Sequence, residues 1–204
     1  MTQLSCQPVE QPERGSNAEK EHATATIPNE SGDRLSHLSH ETEKNMPTPT
    51  PIRLLIASDH AAIDLKARLQ VLFAQDTKGH LVEWVDLGPQ AGSGSVDYPD
   101  YAEKLGRQLT ADPSFRGGVL LCGSGIGVSI AANKIPGIRA ALCENPVSAR
   151  LAREHNHANV LCMGARFVAP EYAVEILRAW LEATPSSDAR HCGRIEKMKK
   201  LETT

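Results

Sequence analysis

A cysteine, a serine and three alternate glycines stand together in Cys122-Gly123-Ser124-Gly125-Ile126-Gly127. The run follows an apolar stretch and precedes a helical pattern, so it reads as a strand-to-helix turn. Small residues there leave several backbone N–H groups unobstructed. Free donors at a helix start favour an anion. The Walker lysine is missing and the spacing departs from G-x-G-x-x-G, which argues against a nucleotide. A tight turn that binds nothing is the competing reading, but Cys122 at its mouth weighs against it. A helix start lowers a thiol pKa from about 8.5, giving a thiolate that serves as nucleophile or base. Cys6, Cys143 and Cys162 read as small buried apolar residues instead, and Cys192 is left open.

Other chemistry is thinner. His155 sits in Arg-Glu-His-Asn-His, 153–157, where a lone histidine is more often a surface residue than a catalyst. Asn156 beside it offers both a donor and an acceptor, which suits a hydroxylated ligand. Arg190 and Arg194 are four apart and share one face of a predicted helix. Paired guanidinium forks suit a phosphate, though a solvated basic face explains the spacing equally well.

Positioning these groups requires a scaffold of alternating elements. Apolar runs at 52–58, 81–87, 118–122, 139–143 and 160–164 read as strands. Helical spacing follows the first, in Ile63, Ala67, Val71 and Ala74 with Leu65, Leu69 and Leu72 beside them, and recurs at 98–109, after Gly125, from Pro146, at 170–183 and at 187–201. The pattern predicts an α/β fold: one Rossmann-like, three-layer α/β/α domain around a five-stranded, mostly parallel sheet. Ligands of such sheets bind at the carboxyl ends of strands. Those ends carry Asp59-His60, Cys122–Gly127, Glu144-Asn145-Pro146 and Gly164-Ala165-Arg166.

Composition divides the 204 residues in two. Residues 1–51 hold 11 apolar residues, no aromatics, 6 prolines and a net charge of −4, too little apolar surface to offset chain entropy. They are expected to form a disordered tail, and their acidity argues against an organelle transit peptide. Residues 52–204 are expected to form the single domain. A formal charge of −3 argues against a general nucleic-acid binder. No run of 18 apolar residues exists to span a membrane, and the N-terminus lacks a secretory h-region. Five cysteines without a C-x-x-C pair suggest a reduced, cytoplasmic protein with no zinc site.

Taken in order, Ser58-Asp59-His60-Ala61-Ala62, Val96-Asp97-Tyr98-Pro99, the segment 121–134 around the glycine turn, Gly137-Ile138-Arg139, Arg153-Glu154-His155-Asn156, Asn159-Val160 and Gly164-Ala165-Arg166 resemble ribose-5-phosphate isomerase type B. This sugar-phosphate isomerase family also holds the galactose-6-phosphate isomerase subunits. The likeness covers about residues 52–202 and excludes the tail. It implies aldose–ketose interconversion through an enediol, with no metal or other cofactor. By the same resemblance Cys122 matches the base and His155 the residue that opens the furanose ring. The amides of Gly123, Ser124, Gly125, Ile126 and Gly127, with the Ser124 hydroxyl, match the hole for the enediolate. On that match the anion held by the turn is the reacting end of the sugar, not its phosphate. Asp59 and Asn156 match binders of sugar hydroxyls, and Tyr98 a wall of the pocket. His60, Arg166, Arg190 and Arg194 match polar residues around the phosphate and ring.

The resemblance also implies a homodimer or homotetramer with sites shared across the interface, and a small sugar phosphate as the only other partner. Two departures stand out. Ala62 replaces a glycine found in many members, and some members use a glutamate on the loop where this chain keeps Cys122, with Val128 and Ser129 following. Ribose 5-phosphate is the expected substrate. The alternatives are a six-carbon aldose phosphate, such as allose or galactose 6-phosphate, or a non-catalytic sugar-phosphate-binding subunit. The latter disagrees with retention of Cys122, His155 and both late arginines in one chain.

Overall fold

The structure, a computed structural model, describes residues 50–75 and 79–203. All of the expected tail but its last two residues lies outside the described residues, as does Cys6. The described chain begins with β1 (Ile52–Ser58), a 3-10 turn at His60–Ala62 and α1 (Ile63–Leu72). Next come β2 (Val82–Asp86), α2 (Tyr98–Ala111), β3 (Gly117–Cys122) and α3 (Ile126–Ala132). The remainder is β4 (Ala140–Leu142), α4 (Pro146–Asn156), β5 (Val160–Gly164), α5 (Pro170–Glu182) and α6 (Ala189–Lys200).

The strands form a five-stranded sheet in the order β2-β1-β3-β5-β4, and every pairing is parallel. Continuous apolar runs make this possible, because each central strand is covered on both faces. Every residue of β3 and β5 is buried. On one face Leu54, Ile56, Val119, Leu121, Leu161 and Met163 pack under α1, α4 and α5, around Leu69, Ile176 and Trp180. On the other, Leu55, Ala57, Leu120, Val160 and Cys162 pack under α2 and α3. The domain is therefore a three-layer, Rossmann-like α/β/α sandwich. Among the described residues no helix is long and apolar enough to cross a membrane.

The details differ from the sequence reading in two places. β4 spans three of its five expected residues, Ala140–Leu142, and just before it the Arg139 amide is taken by the Asn159 side chain at 2.7 Å. The buried face of α1 is Leu65, Lys66 and Leu69, not the series Ile63, Ala67 and Val71. Val71 is 76% exposed. Two apolar i, i+4 series run along this helix, and spacing alone does not choose between them. The entry turn chooses: the Asp59 carboxylate accepts the Ala61 amide at 2.9 Å and so sets the phase in which α1 meets the sheet.

Candidate active site

Strand order places a topological switch between β1 and β3. The chain leaves β1 toward β2 on one side and later fills β3, β5 and β4 on the other. A crevice opens outside the carboxyl ends at such a point. Asp59 follows β1 there, and its amide donates to the Leu121 carbonyl at 3.0 Å. Cys122 ends β3 on the neighbouring strand.

The glycine turn is built around the cysteine sulphur. The Gly125 amide donates to Cys122 Sγ at 3.0 Å. The Ser124 hydroxyl accepts the Ile126 amide at 3.3 Å. The segment after β5 is stitched to the same turn, with the Ala165 amide on the Cys122 carbonyl at 2.9 Å and the Arg166 amide on the Gly123 carbonyl at 3.1 Å. Glycine is required where other groups press close. A Cβ on Gly123 would lie 3.1–3.3 Å from the Arg166 guanidinium, and one on Gly127 would lie 2.6–3.0 Å from the Tyr98 ring. Arg166 and Tyr98 therefore flank the turn on two sides. His60 completes this cluster, its Nδ1 3.2 Å from the Val96 amide and 3.1 Å from the Val96 carbonyl. Cys122 is buried, 4% exposed.

His155, Asn156, Arg190 and Arg194 are elsewhere. α4 starts at the carboxyl end of β4 and returns ~15 Å over its 11 residues to the amino end of the sheet. Arg139, just before β4, donates to the Asn156 and His157 carbonyls at 3.2 and 3.1 Å. The Asn159 carbonyl accepts the Gly118 amide, near the start of β3. From Gly118 to Cys122 the strand rises ~13 Å. One chain thus carries two clusters at opposite ends of its sheet: the cysteine turn with Asp59, His60, Tyr98 and Arg166, and a basic cluster on α4 and α6.

The second cluster contains a residue the sequence reading passed over. His191 stacks on His155 with ring centroids 4.2 Å apart and planes 6° from parallel. Arg190 Nη2 approaches His191 Nε2 at 3.4 Å. Burial, then the charges of His155 and Arg190, hold the His191 imidazole below its ordinary pKa, with Arg194 acting in the same direction. The signal was its place between the two arginines on α6, three residues before Arg194. Asp188 caps this helix through the Arg190 amide at 2.8 Å.

Cys143 and Cys162 are buried in the two core clusters that flank the sheet. Burial pushes the Cys143 thiol up to about 11 and raises that of Cys162. Among the described residues, no group of three or more His, Cys, Asp or Glu side chains is arranged to hold a metal ion.

Residues 54–198 match the family described as Ribose/Galactose Isomerase. Ribose-5-phosphate isomerase B of Escherichia coli is 39% identical over 150 residues, covering 74% of this chain and 96% of the relative. D-erythrulose-4-phosphate isomerase of Pectobacterium atrosepticum is 43% identical over 132 residues, 65% of this chain and 84% of the relative. The structure of the Trypanosoma brucei type B ribose 5-phosphate isomerase superposes with a TM-score of 0.69 at 40% identity, over 75% of this chain and all of that one. A match across most of the folded chain, in sequence and in topology, makes this protein a member of the ribose/galactose isomerase family and an enzyme of the aldose–ketose isomerase type.

Proposed function

We propose that the enzyme interconverts ribose 5-phosphate and ribulose 5-phosphate through an enediol, with Cys122 as the base. The thiolate takes the proton from C2 of the open aldose as the C1 carbonyl becomes an enediolate. The O2 proton passes to O1, and return of the carbon proton from the thiol to C1 then leaves the carbonyl at C2 and restores the thiolate. The Ser124 hydroxyl and those amides of the Gly123–Gly127 turn that are not bonded to Cys122 Sγ or Ser124 Oγ hold the enediolate oxygen, where fixed donors act on charge that exists only along the reaction path. His155 opens the furanose ring by proton transfer. Asp59 and Asn156 take sugar hydroxyls, and His60, Arg166, Arg190 and Arg194 surround the phosphate and ring. The observation that carries this reading is the 3.0 Å contact from the Gly125 amide to Cys122 Sγ, inside a turn flanked by Arg166 and Tyr98.

The separation of the clusters supports a site shared between two copies of the chain. A ribose 5-phosphate molecule is shorter than the sheet, so Cys122 and His155 of one chain do not reach it together. In a homodimer or a larger assembly, the basic cluster of one subunit faces the cysteine turn of its partner.

The similarity to a D-erythrulose-4-phosphate isomerase favours a four-carbon substrate as the second reading. A panel of ribose 5-phosphate, erythrulose 4-phosphate, allose 6-phosphate and galactose 6-phosphate decides between them. Ribose 5-phosphate should give the highest kcat/KM. Cys122→Ala should lose on the order of 10²–10⁴ in turnover on it while still binding it. Near-normal turnover in that variant would remove Cys122 from the mechanism.

A further inference from the structure

Lys66 is a lysine with a nearly buried side chain that the proposed chemistry does not use. Its side chain is 3% exposed on the sheet-facing side of α1. Nζ donates to Asp86 Oδ1 at 2.7 Å and to the Pro89 carbonyl at 2.6 Å. Asp86 Oδ1 also accepts the Gly88 amide at 2.8 Å. The Gly88 carbonyl in turn accepts the amide of Ser58, the residue before Asp59, at 3.0 Å. The segment between β2 and α2 then runs through exposed residues 90–95 and returns at Val96, whose backbone meets His60 Nδ1. The Lys66 ammonium, on Asp86 and Pro89, and the Lys104 ammonium, on the Leu87 carbonyl at 2.9 Å, therefore fasten the near end of a segment whose far end orients His60.

We propose that Lys66 is a positioning residue, holding the 86–97 segment so that Val96 fixes His60 against the substrate. An apolar side chain at this position would satisfy packing in α1 as well as a lysine does. What it cannot supply is two charge-assisted bonds to residues three apart on the segment. The role given to His60 rests on the isomerase reading above, whereas the fastening of the segment does not.

The test uses the full chain with Lys66→Met and Asp86→Asn, read by ribose 5-phosphate kinetics and by amide hydrogen exchange. Lys66→Met should raise KM by roughly tenfold with kcat within about threefold, because binding geometry is lost and the base is untouched. Exchange of the 87–97 amides should accelerate by about tenfold or more while β3 and β5 are unchanged. Asp86→Asn should move both readouts the same way by less, and it carries the test alone if Lys66→Met does not fold. Unaltered exchange in 87–97, exchange accelerated uniformly through β3 and β5, or an unchanged KM would each overturn the proposal. If the wild type does not isomerise ribose 5-phosphate, the function reading falls and the exchange data still decide the role of Lys66.

Discussion

Gly125 is the position at which the cysteine turn is most sharply tested. Its φ is +76°, in the left-handed region, and a Cβ there would meet Leu142 Cδ1 at 2.5 Å, the Met163 carbonyl carbon at 2.8 Å and the Gly164 amide nitrogen at 3.0 Å. The Leu142 methyl can rotate away, but the other two atoms are β5 backbone. Gly125→Ala thus adds the left-handed cost, about 1–2 kcal/mol, and overpacking against main chain, about 1–3 kcal/mol. The stiffer unfolded chain returns roughly 0.4–1 kcal/mol. The net loss is about 3 kcal/mol, equivalent to roughly 6–12 °C in thermal midpoint for a domain of this size. Gly92 provides the control, with φ +84° and open space, nothing within 4 Å, where its Cβ would stand. Gly92→Ala bears the left-handed cost alone and should lose about 1 kcal/mol or less. Activity should separate the two further. Displacing the Gly125 amide disturbs its contact to Cys122 Sγ, and a misplacement of about 1 Å costs on the order of 10² in rate. The assays are thermal unfolding by circular dichroism and initial rates of ketose formation. Suppose Gly125→Ala melts within about 2 °C of Gly92→Ala, a gap worth less than about 1 kcal/mol, and turns over like the wild type. The close approach of turn and β5 then does not constrain the site.

Two further outcomes are expected. Arg194→Ala should raise KM for ribose 5-phosphate and lose most of the wild type's preference over unphosphorylated ribose; an unchanged preference, measured by kcat/KM on both sugars, would leave the arginine a surface charge. Cys143 holds its proton to about pH 11 in the fold against 9.0 for an ordinary thiol, because burial penalises the thiolate. A folded pKa raised in this way contributes stability that is complete below pH 9.0 and lost as pH rises through about 11. The thermal midpoint of Cys143→Ala should therefore fall less steeply than the wild type's across that window, and parallel curves would refute the assignment.

Much of this architecture was legible in residue order. The run Val160–Gly164 is β5 at its expected bounds, since five consecutive apolar residues between polar turns have no other place in a parallel sheet. α1 was less legible because Leu65–Leu69 and Ala67–Val71 have the same period, and only the Asp59-capped turn distinguishes them. Lys66 was hidden for the same reason: a lysine in an apolar stripe reads as exposed until its acceptors, 20 and 23 residues later, are known. The motif residues read as one set in the sequence, yet they occupy two ends of the domain. Their order already held the distinction. Asp59 and Arg166 follow strands, Cys122 ends one, His155 precedes one, and strand-to-helix turns gather at the opposite end of a parallel sheet from helix-to-strand turns.

If two copies of the chain share the proposed site, the separation of its two clusters fixes the arithmetic of the assembly. A twofold axis that carries one subunit's Cys122 to its partner's His155 carries the reverse pair together as well, so complete sites arise in twos. On that proposal, chains bearing Cys122→Ala and chains bearing His155→Ala should each lose turnover alone. In a mixed dimer both lesions fall in one site and the other is intact. Random reassortment of equal amounts makes about half of the dimers mixed, so about a quarter of wild-type sites should reappear. Two dead proteins, mixed and allowed to exchange subunits, should become a working enzyme; if no activity returns while subunit exchange is verified, each chain works within its own boundaries.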